Sequence, residues 1–429
     1  MTHNNPGDGD GRINRRQMMS LFGAGGAVAI AGCIGGDDPR SSDGDIQFLT
    51  MGVGDNIEEF FEENNAAFEE EYDVELDFTS VTWDNAQSTL NTRVDGGEAP
   101  DVSRLPARWI PEFAGKEALV PLDEMMEGEF GDRFYEGLVE SNYYDGHYYG
   151  APWAQSNKCL YYNKDVFEEA GLDPEDPGLD TWDDMLEAAI EIRDNASTSA
   201  YGLPANAALE TGSQYYHYHW SFGADLVDDG SPVVNSDEGV EALSFYSDLV
   251  QDHEITQPSP LSSSRQDVRR LFENGDLGMV IAHVYAGLNI EDSDQDFDYG
   301  IVQVPEGPAG RYNLSTVDSL VIYTQTENED LARDLFRFYY DEERRFEYSQ
   351  SKGFLPVLES VADRDFFTED ENWAPFVEAS EYARSRPKIP SFNEFNNRVV
   401  TAIQEAVGGE KSAQDALDDA QADLEEILE

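Results

Sequence analysis

The sequence predicts an α/β fold whose lobes are built from interleaved segments. Three observations predict it. Strand-like and helix-like stretches alternate from Asp45 almost to the C-terminus. The chain has 429 residues, enough for two to four domains or one two-lobed unit. No internal repeat and no long linker separates one stretch from the next.

The elements follow in order. Ile46, Phe48 and Leu49 make a short apolar strand. Ile57, Phe60, Phe61, Asn64 and Phe68 then keep helical spacing with one polar exception, and Val74, Leu76 and Phe78 alternate as a strand does. Strand, helix and strand in that order form a βαβ unit, whose crossover makes a parallel pair. Residues 84–97 read as a helix stopped by Gly96-Gly97, and Pro100-Asp101-Val102 opens the next strand. Thr181-Trp182-Asp183-Asp184 resembles a capping box with Asp at the fourth position, ahead of Met185, Leu186, Ala189 and Ile192. Ser236 precedes a helix marked by Val240, Leu243, Tyr246, Leu249 and Val250. Ser412 opens a C-terminal helix with Leu417, Ala420, Leu424, Ile427 and Leu428 on one side. Strands are expected at Gly278–Ala282, Tyr299–Val304 and Ser319–Thr324.

Charge bounds the partners. The chain holds 89 Asp and Glu against 27 Lys and Arg, a net charge of −62. Such a surface repels nucleic-acid phosphates and anionic headgroups, so no nucleic acid is expected as a partner. With 40% hydrophobic residues and 12% aromatic, the chain is a folded one rather than a disordered acidic tail. Acids spread along the whole length suit a hypersaline setting, where salt screens self-repulsion to a few ångströms. The alternative is an ordinary acidic protein.

Residues 1–44 read as an address. Arg15-Arg16 precede an apolar, Gly- and Ala-rich run from Met18 to Ile34. The run is too weak for a membrane span of about 20 strongly apolar residues and fits a signal peptide over 1–32, exported by the twin-arginine route. Ile30-Ala31-Gly32-Cys33 resembles a lipobox, in which Cys33 carries lipid and anchors the chain to a membrane. Residues 33–44 are Gly, Asp and Ser rich, as a flexible tether is. The second cysteine, Cys159, is then a small core residue.

No phosphate loop, no Gly-x-Ser-x-Gly elbow and no paired cysteines for zinc occur. His217 and His219 flank Tyr218 and on a strand would share a face, but no further His or Cys lies nearby. No catalytic residue, metal or cofactor is expected. Aromatic clusters at Tyr143, Tyr144, Tyr148 and Tyr149, and at Tyr215, Tyr216, Tyr218 and Trp220, fill core or stack on the flat faces of sugars.

Several stretches together resemble the extracellular solute-binding proteins of ABC importers, the sugar-binding kind that includes maltose- and trehalose-binding proteins. They are Gly96-Gly97-Glu98-Ala99-Pro100-Asp101-Val102, Trp109-Ile110-Pro111-Glu112-Phe113-Ala114 with Leu119-Val120-Pro121-Leu122-Asp123, and Asp145-Gly146-His147-Tyr148-Tyr149-Gly150-Ala151-Pro152-Trp153. The most specific is Leu160-Tyr161-Tyr162-Asn163-Lys164-Asp165-Val166-Phe167 with Ala170-Gly171-Leu172 and Thr181-Trp182-Asp183. Gly275-Asp276-Leu277-Gly278-Met279-Val280-Ile281, Gly353-Phe354-Leu355-Pro356-Val357 and Arg386-Pro387 continue the series in order. The resemblance implies a two-lobed periplasmic-binding-protein-like fold, with lobe 1 over 45–152 and 317–356 and lobe 2 over 153–316 and 357–429. It implies a hinge that closes around a sugar, permease subunits as membrane partners, a monomer, and a place on the outer face of the membrane. With the charge and the lipobox, it describes a haloarchaeal-like lipoprotein.

One departure stands out. Where the family often has an acid shortly after the Pro-Asp-Val step, this chain has Pro106, and Arg104 is the polar residue nearby. The ligand residues expected are Trp83 and Arg104 from the first lobe and Trp153, Asn157, Trp220 and Tyr285 from the second. Trp153 follows Pro152 where the chain is expected to cross. Arg104 and Tyr285 follow strands whose C-terminal ends face the cleft in open α/β sheets. The rival readings are another solute such as a polyamine or metal complex, a secreted carbohydrate-active enzyme, and a surface adhesive protein. Asn195-Ala196-Ser197 and Asn313-Leu314-Ser315 are glycosylation sequons.

Overall fold

The computed structural model describes residues 46–51, 55–291, 293–295, 297–389 and 391–428. The twin arginine, the apolar run and Cys33 lie outside the described residues. The first sheet runs Leu76–Val81, Ile46–Met51, Val102–Pro106, Thr316–Ile322 and Ala151–Ser156. Its first three strands are parallel, as the βαβ reading requires, and Thr316–Ile322 runs antiparallel to both neighbours. Phe60, Phe61 and Phe68 of the Asp55–Tyr72 helix are buried against it. Asn64, the polar exception on that face, is buried too. Its amide donates to the Phe60 carbonyl at 2.9 Å, and its Oδ1 accepts from Arg344 Nε at 3.0 Å, so both ends are satisfied.

The second sheet runs Tyr299–Val302, Cys159–Asn163, Leu277–Ala282 and Ser199–Gly202. The Trp182–Asn195 helix starts with the capping box read from the sequence. Asp184 N–H donates to Thr181 Oγ1 at 3.1 Å, and Thr181 N–H donates back to Asp184 Oδ2 at 3.0 Å. Helices Leu209–Ser221, Asp237–Gln251, Phe392–Val407 and Ala413–Leu428 pack on one another in this lobe. Cys159 is buried and free.

The chain passes from the first sheet to the second after Ser156 and returns at Thr316. The sequence places the first crossing at 152, with Trp153 just past it. Ala151–Ser156 is instead one strand, paired with Thr316–Leu320 at the edge of the first sheet. An edge strand tolerates the missing N–H of proline. The last crossing also lies beyond residue 356. Val357, Leu358 and Val361 are buried in the first lobe's core, and Arg364 pairs with Glu343 at 2.9 Å. By Asn372, whose Oδ1 accepts from Tyr299 at 2.8 Å, the chain packs on the second sheet. Ala383–Arg384 then pairs with Asn313–Leu314.

Candidate functional site: the cleft between the lobes

Strand register builds the first part of the site. Arg104 faces Leu320 across the antiparallel pair, and Asp318 is two residues along. Such diagonal neighbours lie on one face of a sheet. Arg104 Nη2 donates to Asp318 Oδ2 at 2.5 Å, Nε donates to the same oxygen at 3.1 Å, and Nη1 donates to the Met51 carbonyl at 3.3 Å. The guanidinium lies 5.0 Å from the ring centroid of Trp83 and 5.0 Å from that of Phe354. Burial works against its charge, but the fields of Tyr348 and Asp318 and the Asp318 bond outweigh it and raise its pKa. Trp83, at the start of the Trp83–Gly96 helix, remains 41% exposed.

Gly353 closes the Glu342–Lys352 helix in the left-handed region, at φ +65. A Cβ there would meet the Tyr285 ring at 2.9 Å, so glycine serves both the turn and the close approach. Phe354 follows at once, its ring edge-on to Tyr285 at 6.1 Å. Tyr285 begins the Tyr285–Glu291 helix just past the C-terminal end of Leu277–Ala282. Burial raises its phenol above the usual range, as does the field of Tyr348.

The chain crosses from the first sheet to the second at Ser156–Lys158. His283 Nδ1 lies 2.6 Å from Ser156 Oγ and 3.0 Å from the Asn157 carbonyl, and Arg265 Nη1 donates to Nε2 at 3.0 Å. Nε2 is therefore the acceptor and Nδ1 carries the proton. Burial, then the fields of Arg265 and Lys158, hold the imidazole well below its ordinary pKa. Asn157 donates to the Phe376 carbonyl at 3.2 Å and to Ser380 Oγ at 2.9 Å. Asn313 is buried, and its side chain bonds both backbone groups of Lys158.

Two cavities that share walls open between the lobes. The larger, about 640 Å³, has Gly137–Ser141 on the first-lobe side and Trp220, Asp225 and Arg384–Ile389 on the second. The Arg384 guanidinium lies 4.9 Å from the Trp220 centroid and pairs with Asp225 at 2.6 Å. The smaller, about 30 Å³ and more enclosed, lies between Arg108 and the Ser385–Lys388 segment.

The structure thus gathers Trp83, Arg104 and Tyr285 at one end of the cleft and sets Trp220 in the wall of the larger cavity. Trp153 is not among them. It is fully buried in the first lobe, with its indole N–H donating to Tyr348 at 2.8 Å and its ring 4.8 Å from that of Tyr348. The Ala151–Ser156 strand carries it into the core rather than to the crossing. Asn157 is buried too, its amide nitrogen donating to Phe376 and Ser380 and its Oδ1 left without a partner. His217 and His219 sit on the Leu209–Ser221 helix, not on a strand, so their rings point apart. Sequence reasoning missed Asp318, Phe354, Arg108 and Arg386 as site residues. Asp318 is the lone acid in the apolar run Thr316–Ile322, which is a readable signal.

Two α/β lobes with their aromatic and charged side chains turned into a shared cleft define a solute-binding protein. The family model for bacterial extracellular solute-binding proteins matches residues 54–344, and the chain belongs to that family. A binding protein of Brucella abortus is 31% identical over 373 residues, covering 86% of this chain and 90% of its own. The arabinooligosaccharide-binding protein of Halalkalibacterium halodurans is 25% identical and covers 80% of this chain and 77% of its own length. Among solved structures, the cyclic α-maltosyl-1,6-maltose binding protein from Arthrobacter globiformis superposes with a TM-score of 0.80. It is 25% identical and covers 90% of this chain and 98% of its own.

Proposed function

We propose that this chain captures a mono- or oligosaccharide in the interlobe cleft and delivers it to the permease of an ABC importer. The observation that carries this reading is the cluster in which the Arg104 guanidinium, held by Asp318, lies against the half-exposed Trp83 ring, with Tyr285 beside Phe354. Rings there can cover the C–H face of a pyranose, while the fixed polar groups bond its hydroxyls. The named relatives that bind arabinooligosaccharide and cyclic maltosyl-maltose support a sugar. Binding without chemistry fits the site, and we take the protein not to be an enzyme. We further propose that Cys33 is lipidated after twin-arginine export and holds a monomeric receptor at the outer face of the membrane. Cys33→Ala then releases the protein from membranes, and unchanged anchoring contradicts the lipid. The binding reading is tested by thermal shift with a sugar panel in molar salt. A sugar at about 100 times its dissociation constant stabilises by about 2.7 kcal/mol. A panel of sugars without a shift, beside a polyamine that gives one, contradicts the reading.

A further inference from the structure

The acid-rich chain keeps a concentrated basic patch in the cleft. Arg108 follows the Val102–Pro106 strand of the first lobe, whereas Lys158, Arg265 and Arg386 come from the crossing and the second lobe. The field of Glu210 reaches all four, and that of Asp318 reaches Arg108 more strongly still. Among the described residues, none of the four has a carboxylate within ion-pair distance, although 89 acids are available in the chain.

Their donors are underused. Lys158 is only 2% exposed, and its ammonium has one long bond, to the Ser213 carbonyl at 3.4 Å. Arg386 Nη2 donates to Ser213 Oγ at 2.7 Å, so the two cations meet at one serine. The Nε atoms of Arg108 and Arg386 are buried without a partner. The smaller cavity is lined by Arg108, Arg386 and Lys388 with Ser141, Ser315, Thr316 and Ser385, and by no carboxylate. A buried charge is costly unless it is paired. Three half-buried guanidiniums and the buried Lys158, gathered from both lobes without a paired carboxylate, are a site waiting for an anion.

We propose that the solute is a sugar carrying an acid group, carboxylate or phosphate, seated between Arg108 of the first lobe and Arg386 of the second. This rests on the sugar reading above and narrows it to acidic sugars. The guanidinium fork suits either oxyanion. The arrangement also couples binding to closure. Arg108 and Arg386 bring like charge from opposite lobes to the walls of one small cavity, and burial, then the field of Arg108, lowers the Arg386 guanidinium to about 9. An acid group between them replaces that like-charge pairing with two attractive contacts, one from each lobe.

Calorimetric titration of the full chain in molar potassium chloride tests this. Glucuronate is compared with glucose and digalacturonate with galactobiose; glucose 6-phosphate is the phosphate arm and citrate the anion without a sugar. The expected result is an acid sugar that binds at least about 100-fold more tightly than its neutral partner. Tight binding by the uronates or by the phosphate identifies which acid group the site takes. Equal or tighter binding of the neutral partners overturns the acid group and leaves the sugar reading intact. Binding of citrate alone overturns both, and absence of any binding overturns the acid sugar. Arg108→Gln and Arg386→Gln are each expected to cut the acid-to-neutral ratio about tenfold, with Arg108→Lys restoring part of it. A ratio unmoved by both Gln variants contradicts the seat between these residues.

Discussion

The sequence points to both Trp83 and Trp153 as ligand residues, and the structure puts them in opposite settings: Trp83 is exposed and Trp153 is fully buried. Trp153 is enclosed by Phe61, Tyr339 and Tyr348. Trp153→Ala is therefore expected to cost roughly 3–5 kcal/mol in denaturant unfolding without ligand. Trp83→Ala leaves that unfolding curve nearly unchanged and weakens sugar binding. A Trp153→Ala protein as stable as the parent contradicts the core assignment. Asp318→Asn strips the counter-ion from a buried guanidinium and is expected to cost about 3–5 kcal/mol. The same unfolding measurement checks it, and a loss under about 1 kcal/mol contradicts the pair's role. Arg104 is legible as a polar residue close after Pro100-Asp101-Val102, although it lies in the middle of the Val102–Pro106 strand and not past its end. Its partner is not legible, because which residue lies diagonal to Arg104 depends on register across 214 positions of sequence. Asn313 shows the same limit: its sequon is plain in the sequence, but the residue is buried beneath Lys158.

The Leu209–Ser221 helix was noted for its aromatics, and they are core: Tyr215, Tyr216 and Tyr218 are fully buried. Its histidines bear on acid stability. Burial lowers His219 to about 4 and holds His217 well below its ordinary value. The unfolded chain titrates its histidines near pH 6.5. Between about 6.5 and 4 it therefore binds more protons than the folded one, and stability falls as pH falls through that window. Melting temperature at constant molar salt should drop from pH 7 to pH 5, with a shallower drop in His219→Gln. An equal slope in that variant contradicts the assignment. Capped helices were the most legible elements, because Thr181 and Ser236 announce their starts within four residues. Strand ends were less so. Thr316–Ile322 begins three residues before the expected Ser319, because Thr316 and Asp318 broke the apolar pattern by which the strand was recognised.

At the scale of the molecule, interleaved lobes were legible from the order of elements, and the points of crossing were not. Pro152 marks a sheet edge rather than a boundary. The basic patch was also hidden, since Arg108, Lys158, Arg265 and Arg386 are scattered in sequence and converge only in the fold. The outer surface behaves oppositely: its carboxylates repel over about 10 Å at 0.1 M salt and about 3 Å at 1 M. Dilution from molar salt is expected to unfold the protein, followed by circular dichroism, and full stability at low ionic strength contradicts the hypersaline reading. The central claim is that a sugar binds between the lobes, against Trp83. Five of the six tryptophans are buried and Trp83 alone is exposed. Acrylamide quenching of tryptophan fluorescence therefore reports on the cleft. A sugar that raises the melting temperature should abolish most of the quenching by covering Trp83. The same stabilising sugar leaving quenching as it is in the free protein would contradict the account.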